Sequence, residues 1–218
     1  MPRVPTSEFK ASYHDHVRRD VVPFVPTTGG RLLDVGGGIG ATAALLKAQG
    51  IVEKAGTADM VDPATALDTL DFAYQGNLDD EGFLKGIFRE QGPFQLILAL
   101  DVLEHLIDPW STARVLADML DTGGYLVASI PNVRHWRTSA NLLLGGKWAY
   151  TEHGTLDRTH LRFFVRNTAV ELVSGAGLTV QSVNSPSTGP RAALLDRLTF
   201  GRLRDLTAMQ YVVVGRKV

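Results

Sequence analysis

The chain has 218 residues, 22 Lys and Arg against 23 Asp and Glu, a formal net charge of −1 and no cysteine. That length suits one α/β domain with a sizeable core, and the near-zero charge excludes the basic footprint of a nucleic-acid or anionic-membrane binder. Without cysteine there is no disulfide framework, thiolate nucleophile or Cys-based metal site. No apolar run approaches the roughly 18–20 residues of a membrane span, and MPRVPTSEFK has no signal-peptide core behind it, so a cytoplasmic protein is expected.

In chain order, Thr6 or Ser7 caps a helix expected over about 8–20, stopped by Pro23 and Pro26. RLLDV reads as a buried strand, and GATAALLKAQG as a helix ending at Gly50. KAGTADM is a second strand, followed by a helix start at Pro63, and FAYQGN is a third strand. An acid-started helix, DDEGFLKGIFREQG, leads to FQLILAL, an apolar run typical of a strand buried on both faces. DPWSTARVLADMLDTGG is an amphipathic helix closed by Gly123, and YLVASI is strand five. RNTAVELVSGAGL is a helix capped by Asn167 or Thr168, TVQSVNS is strand six, RAALLDRLTFGRLRDL is a basic amphipathic helix or two, and QYVVVGRKV is the last strand.

Alternating strands and helices imply a doubly wound, Rossmann-like, seven-stranded mostly parallel sheet with helices on both faces; the last strand enters antiparallel. One domain over 1–218 is expected, with an N-terminal helical arm at 1–28 and an insertion at 131–166 that is too long for a simple βα loop.

The chemistry starts at RLLDVGGGIG, residues 31–40. Glycine lacks a Cβ and tolerates positive φ, so a ligand can lie close to this backbone, and the following helix adds unpaired N–H groups. Gly36, Gly38 and Ala41 also satisfy the G-x-G-x-x-G/A spacing of dinucleotide binding. An NAD(P)-dependent oxidoreductase is therefore an alternative, and a tight turn that binds nothing is another. Asp34 at the strand end argues against a pyrophosphate and suits a cationic group such as an amino acid's ammonium.

LLDVGGGIG together with LDVLEHLIDP (100–109) resembles the class I S-adenosylmethionine-dependent methyltransferases, and LVASIPNV resembles their fifth-strand segment. GTLDRTHLRFF and the C-terminal QYVVVGRK resemble a bacterial subgroup of polysaccharide and natural-product pathways. The resemblance implies S-adenosylmethionine (SAM) as cofactor and residue roles along successive strand ends. Gly36, Gly38 and Gly40 would lie under the methionine and ribose parts, with Asp34 toward the amino group. Asp59, with Asp62 as second choice, would take the ribose hydroxyls. Asn77 would take the adenine amino group where Asp is usual, with Leu78 packed on the ring. Leu100 and Asp101 would face the methionine end and the acceptor. Each acid could instead be a helix cap or surface group, and Asn77 a turn residue.

Methyl transfer needs alignment first and a base second. His105 in DVLEHL is the first candidate base. His160 in DRTHLRFF is the second, with Asp157 three residues before it to orient the ring. The other readings are packing for His105 and a salt-bridged turn for His160. His14, His16, His135 and His153 are weaker candidates. The insertion holds Trp136, Trp148, Tyr150, Phe163 and Phe164 with Arg134, Arg137 and Lys147, which suits a ring-bearing or anionic acceptor such as a sugar on a carrier. It also allows SANLLLGG to be a helix packing its apolar side on the core. Tyr13 could close over the cofactor. No metal site is expected: Asp101 is available, but the next strand end offers Asn132 rather than a second carboxylate. The expectation is methyl transfer to a hydroxyl or amine of a small or saccharide-type acceptor, with no nucleic-acid partner. A SAM-binding module without catalysis is the further alternative.

Overall fold

The computed structural model describes residues 17–186, 197–199 and 203–218. Seven strands form one sheet: β1 (Arg31–Val35), β2 (Lys54–Asp59), β3 (Phe72–Gln75), β4 (Phe94–Leu100), β5 (Leu120–Pro131), β6 (Thr179–Asn184) and β7 (Gln210–Arg216). Their spatial order is β3-β2-β1-β4-β5-β7-β6. β1 to β5 are mutually parallel, while β7 runs antiparallel to both β5 and β6. Among the described residues the helices are α1 (Ala41–Ala48), α2 (Glu81–Gln91), α3 (Pro109–Met119), α4 (Trp136–Gly145), α5 (Arg166–Ser174) and α6 (Arg204–Thr207).

The period-2 alternation of strand side chains divides the core. Leu33, Val35, Ile97, Ala99, Leu126 and Ala128 face one side, where they meet Leu84 and Ile87 of α2, Ala113 and Leu116 of α3, and Ala169 and Leu172 of α5. Leu32, Leu96, Leu98, Val127, Val212 and Val214 face the other, against Ala43 and Leu46 of α1 and Val21 of the arm. That both faces are covered explains why FQLILAL carries no polar alternation: Leu96, Ile97, Leu98 and Ala99 are all fully buried. β1 is followed by β2 on one side and neighboured by β4 on the other, so the chain reverses direction across the sheet between β1 and β4. The carboxyl ends of β1 and β4 at this switch point are the usual ligand site of such sheets.

Several boundaries differ from the sequence reading. Residues 8–16 of the expected first helix lie outside the described residues, and 17–20 form an extended and turn segment rather than helix. Its constraint is tertiary, as the site shows. Pro63 opens only a 3-10 turn, Pro63–Thr65, capped by the Asp62 carboxylate accepting from Ala64 N at 2.9 Å. α3 ends at Met119, and Gly123 (φ +81°) lies inside β5 rather than capping a helix. α5 is closed at its start by Thr168, whose Oγ1 accepts from Val165 N at 3.0 Å, and not by Asn167. α4 does not lay its leucines on the core: Leu143 and Leu144 are 80% and 88% exposed. Most of the basic stretch 191–206 lies outside the described residues.

Candidate active site

The glycine loop runs from the end of β1 to α1. Gly36, Gly38 and Gly40 all have positive φ, 70°, 57° and 81°. Part of the demand for glycine is internal. A Cβ on Gly36 would stand 2.2 Å from a Val102 methyl, so the loop backbone rests directly on the residue after Asp101. A Cβ on Gly37 would stand 2.6 Å from the Asp34 carboxyl carbon and 2.8 Å from Thr57 Oγ1. The loop therefore folds over Asp34, which is why that carboxylate is buried at the end of an exposed-looking turn.

Asp34 accepts no side-chain hydrogen bond among the described residues. Burial, helped by the neighbouring Asp59 charge, pushes its carboxyl up to about 7. A buried carboxylate without a partner is costly unless a cation or donor meets it. That fits the amino group of an amino-acid ligand lying on the loop. Asp59, at the end of β2, is fixed at both oxygens: Oδ2 accepts from Gly38 N at 2.8 Å and Oδ1 from Val61 N at 3.2 Å. It thus ties the loop to the neighbouring strand end and keeps lone pairs for hydroxyl donors. Asn77, after β3, is exposed and its Oδ1 accepts from Asp79 N at 3.0 Å, a side-chain turn. Leu78 beside it is buried. Asp62 caps its 3-10 turn and faces away from this role.

At the end of β4, Leu100 is half-buried and Asp101 takes φ +56°, a left-handed conformation that Asp tolerates better than most residues. Asp101 Oδ1 accepts from Ser129 Oγ at 2.8 Å, and Oδ2 is paired with the Arg18 guanidinium. Arg18 also pairs with Asp20 at 3.0 Å, and its backbone N donates to Thr42 Oγ1 of α1 at 3.1 Å. Gln210 of β7 donates to Asp20 at 2.9 Å. The arm is thereby pinned across the carboxyl ends of β4 and β5 and the amino end of the antiparallel β7. Nothing in the sequence signalled Arg18, because its partner is 83 residues away.

Beyond Asp101, a 3-10 turn (Leu103–His105) carries His105, and the 131–166 insertion folds back to bring His160 beside it. The two rings meet edge to face with centroids 4.7 Å apart. His105 Nδ1–H donates to Thr159 O at 3.3 Å and His160 Nδ1–H to Thr155 O at 3.1 Å. Because a carbonyl can only accept, Nδ1 carries a proton in both rings, and in the neutral imidazole Nε2 is then the lone-pair nitrogen. Burial, with His160 adding to it, lowers the His105 pKa and holds that ring neutral. Asp157 does not orient His160 as expected: its Oδ1 is taken by Thr159 N and Oγ1, at 2.8 and 2.7 Å. Arg158 pairs with Glu152 and Arg162 with the Ile107 carbonyl. Phe163 continues the cluster outward, 6.4 Å from His160 and 5.2 Å from Trp148, with Tyr150 at 6.5 Å.

Glu104 was not singled out in the sequence, although a glutamate inside the apolar VLEHLI was the signal. It is almost fully buried and neither carboxylate oxygen has a hydrogen-bond partner. Asn132 is also buried, with Nδ2 donating to Asp205 O and Ala208 O at 2.6 and 2.8 Å, so it staples β5 to α6. His135 is buried beside Trp136 and His153 is exposed on the insertion. Tyr13, His14 and His16 lie outside the described residues. Among the described residues, no helix is long and apolar enough to cross a membrane.

Comparison with solved structures places this architecture. A SAM-dependent methyltransferase from Archaeoglobus fulgidus aligns with TM-score 0.60 at 17% identity, over 91% of this chain and 90% of that one. One from Mesorhizobium loti aligns with TM-score 0.59 at 18% identity, over 90% and 95%. The [4+2]-cyclase SpnF aligns with TM-score 0.58 at 16% identity, over 91% and 78%. Likeness at this level shows the fold, and a fold does not choose its chemistry. No curated protein matches the chain by sequence. A family model described as a methyltransferase domain matches residues 11–183, most of the chain. The chain belongs to the SAM-dependent methyltransferases of class I, its cofactor is S-adenosylmethionine, and the oxidoreductase reading falls.

Proposed function

We propose that this methyltransferase acts on a hydroxyl, or an amine, of a small ring-bearing acceptor of saccharide type. The observation that carries the reading is the His105–His160 pair, each with Nδ1 on a backbone carbonyl, placed at the end of β4 just past the residue on which the glycine loop rests.

When bound, SAM supplies a methyl group already activated by its positive sulfur. Asp34 holds the amino end of the cofactor, Asp59 its ribose, and Asn77 with Leu78 its adenine. Leu100 and Asp101 stand between cofactor and acceptor, with Asp101 held in place by Arg18 and Ser129. A neutral imidazole at His105 takes the acceptor's proton as the oxygen becomes nucleophilic, a contribution of roughly 10²–10⁴-fold. The aromatic run Phe163, Trp148 and Tyr150 leads from His160 toward solvent and offers faces on which a sugar or aromatic ring can stack. Its place on the 131–166 insertion supports the insertion as the acceptor lid. The cation over the Trp136 face, Arg137 at 5.5 Å, suits an acceptor carrying an anionic group.

The test pairs binding with turnover. S-adenosylhomocysteine (SAH) should raise the melting temperature, and methyl transfer from SAM, with one SAH formed per methylated product, should appear with hydroxylated sugar or phenol acceptors. Tight SAH binding with no turnover across such a panel would favour a binding module that has lost catalysis. Turnover that is insensitive to His105→Ala and His160→Ala would remove the base assignment.

A further inference from the structure

Three side chains at the acceptor side are arranged in a way that methyl transfer alone does not require. Glu104, His105 and His160 each offer one ligand atom, and these atoms all lie within 4.8 Å of one another. His160 Nε2 stands 3.9 Å from Glu104 Oε1. That is too long for a hydrogen bond, yet it is the spacing of two donors on one ion, since ligand distances of about 2.0–2.2 Å put neighbouring donors roughly 3–4 Å apart.

The second observation is independent of the spacing. The Glu104 side chain is 1% exposed and neither oxygen meets a donor. Buried carboxylates are ordinarily paired or metal-bound, because an unpartnered charge there is expensive. The third concerns the rings. Both imidazoles donate Nδ1–H to a backbone carbonyl, Thr159 O and Thr155 O. Such outer contacts fix the tautomer of a neutral ring, as they do for metal-bound histidines, and His160 turns Nε2 toward Glu104. The nearby carboxylates of Asp101 and Asp157 add a negative field that favours a cation at this cluster.

We propose that Glu104, His105 and His160 form a binding site for one divalent first-row transition-metal ion, of the Mn²⁺ to Zn²⁺ class, on the acceptor side of the cofactor pocket. Two imidazoles and one carboxylate are a poor match for Mg²⁺ or Ca²⁺, which prefer oxygen ligands, and a good one for Zn²⁺, Mn²⁺ or Fe²⁺. Three protein ligands leave positions open for an acceptor. With an ion bound, the imidazoles are its ligands and the acceptor hydroxyl, polarised by this Lewis acid, loses its proton to solvent; the base role given to His105 above belongs to the ion-free protein. This inference rests on the methyl-transfer reading for its purpose but not for its detection. The ligand set is not the Asp101 and Asn132 pair weighed from the sequence, because Asn132 is occupied by Asp205 and Ala208.

The experiment is titration of chelator-treated full-length protein with ZnCl₂, MnCl₂ and MgCl₂ separately, by calorimetry, beside SAH binding on the same samples. One equivalent of Zn²⁺ or Mn²⁺ per chain is expected, with Mg²⁺ at least about tenfold weaker. Glu104→Gln and His160→Ala should each lose at least about 100-fold in ion affinity while SAH affinity stays within about twofold; His153→Ala should bind the ion like the parent. In the unmutated protein, Mn²⁺ should broaden the ring-proton signals of His105 and His160 selectively, which decides the matter even where a variant does not fold. No saturable ion, ion affinity unchanged in both variants, or broadening at His153 in place of the pair would overturn the proposal. Glu104→Gln gaining stability with unchanged ion affinity would overturn it too, and would mark Glu104 as a buried neutral acid. Should no ion bind while SAH binding and chelator-resistant methyl transfer persist, this inference alone fails; should SAH not bind at all, the methyl-transfer assignment of the site fails, whatever the ions do.

Discussion

The two halves of the site are built differently. On the cofactor half, each polar group belongs to the strand that precedes it: Asp34 ends β1, Asp59 ends β2, Asn77 follows β3, and the ties between neighbours are short in sequence, 21 residues from Gly38 N to Asp59 and 23 from Thr57 to Asp34 O. On the acceptor half, the groups are assembled across the chain. His105 meets the His160 segment 54 residues on, Asp101 meets Arg18 83 residues back, and Ser129 of β5 reaches Gln210 of β7. A short-range site is set by the strand-turn-helix rhythm itself. A long-range one depends on where an insertion and an arm come to rest, which makes it the half that can change acceptor without disturbing the cofactor.

The largest expected effect separates the halves directly. His105→Ala and His160→Ala should each lower kcat by roughly 10²–10⁴-fold, with SAH affinity within about twofold by calorimetry. A parallel collapse of SAH affinity would show that the halves are one unit.

Asp34→Asn comes next and should act on the other half. Losing a buried charge-assisted contact of about 1.5–3 kcal/mol lowers SAH affinity about 10–150-fold. The pH dependence sharpens it. With the Asp34 carboxyl at about 7, ionised ligand-ready protein is the minority at pH 6 and the majority at pH 8. SAH affinity of the parent should therefore rise about tenfold across that interval, and the variant should stay flat. The ligand-free fold shows the opposite trend. The native state keeps a proton that the unfolded chain gives up from about 3.8. This contribution to stability is full below that pH and is lost as pH rises to about 7. Melting curves from pH 4 to 8 should lose that slope in the variant.

Gly36→Ala tests the contact between the halves. The added methyl meets Val102 at a positive φ, and a cost of about 1–3 kcal/mol is expected, read as a lower melting temperature. A neutral outcome would mean that the loop does not rest on the acceptor-side strand end. Asn77→Ala should be mildest, about 2–10-fold in SAH affinity for one neutral hydrogen bond, with kcat unchanged.

This contrast also explains what the sequence could reveal. The alternation of strands and helices and the placement of Asp34, Asp59 and Asn77 at successive strand ends follow from periodicity and the glycine turn, because each is decided within one βα unit; the spatial order of the strands, which is a tertiary matter, was not legible. His105 and His160 were legible singly, as titratable residues near strand ends; that they touch was not, since it depends on the fold of residues 131–166. Glu104 was hidden by its neighbours in VLEHLI, where a buried charge reads as a solvated one. The leucines of α4 misled in the other direction. Their helical spacing implies a covered face, and they stand in the open, because periodicity reports that a helix has an apolar side and not whether the core reaches it.

The central claim is that one site holds the cofactor on β1 to β3 and presents its methyl group to the His105–His160 side. A crystal structure with SAH tests this most directly. The account predicts its amino group at Asp34, its ribose at Asp59 and its sulfur directed toward His105 and His160. A nucleoside bound away from the glycine loop, or a sulfur turned from the histidine pair, would contradict it.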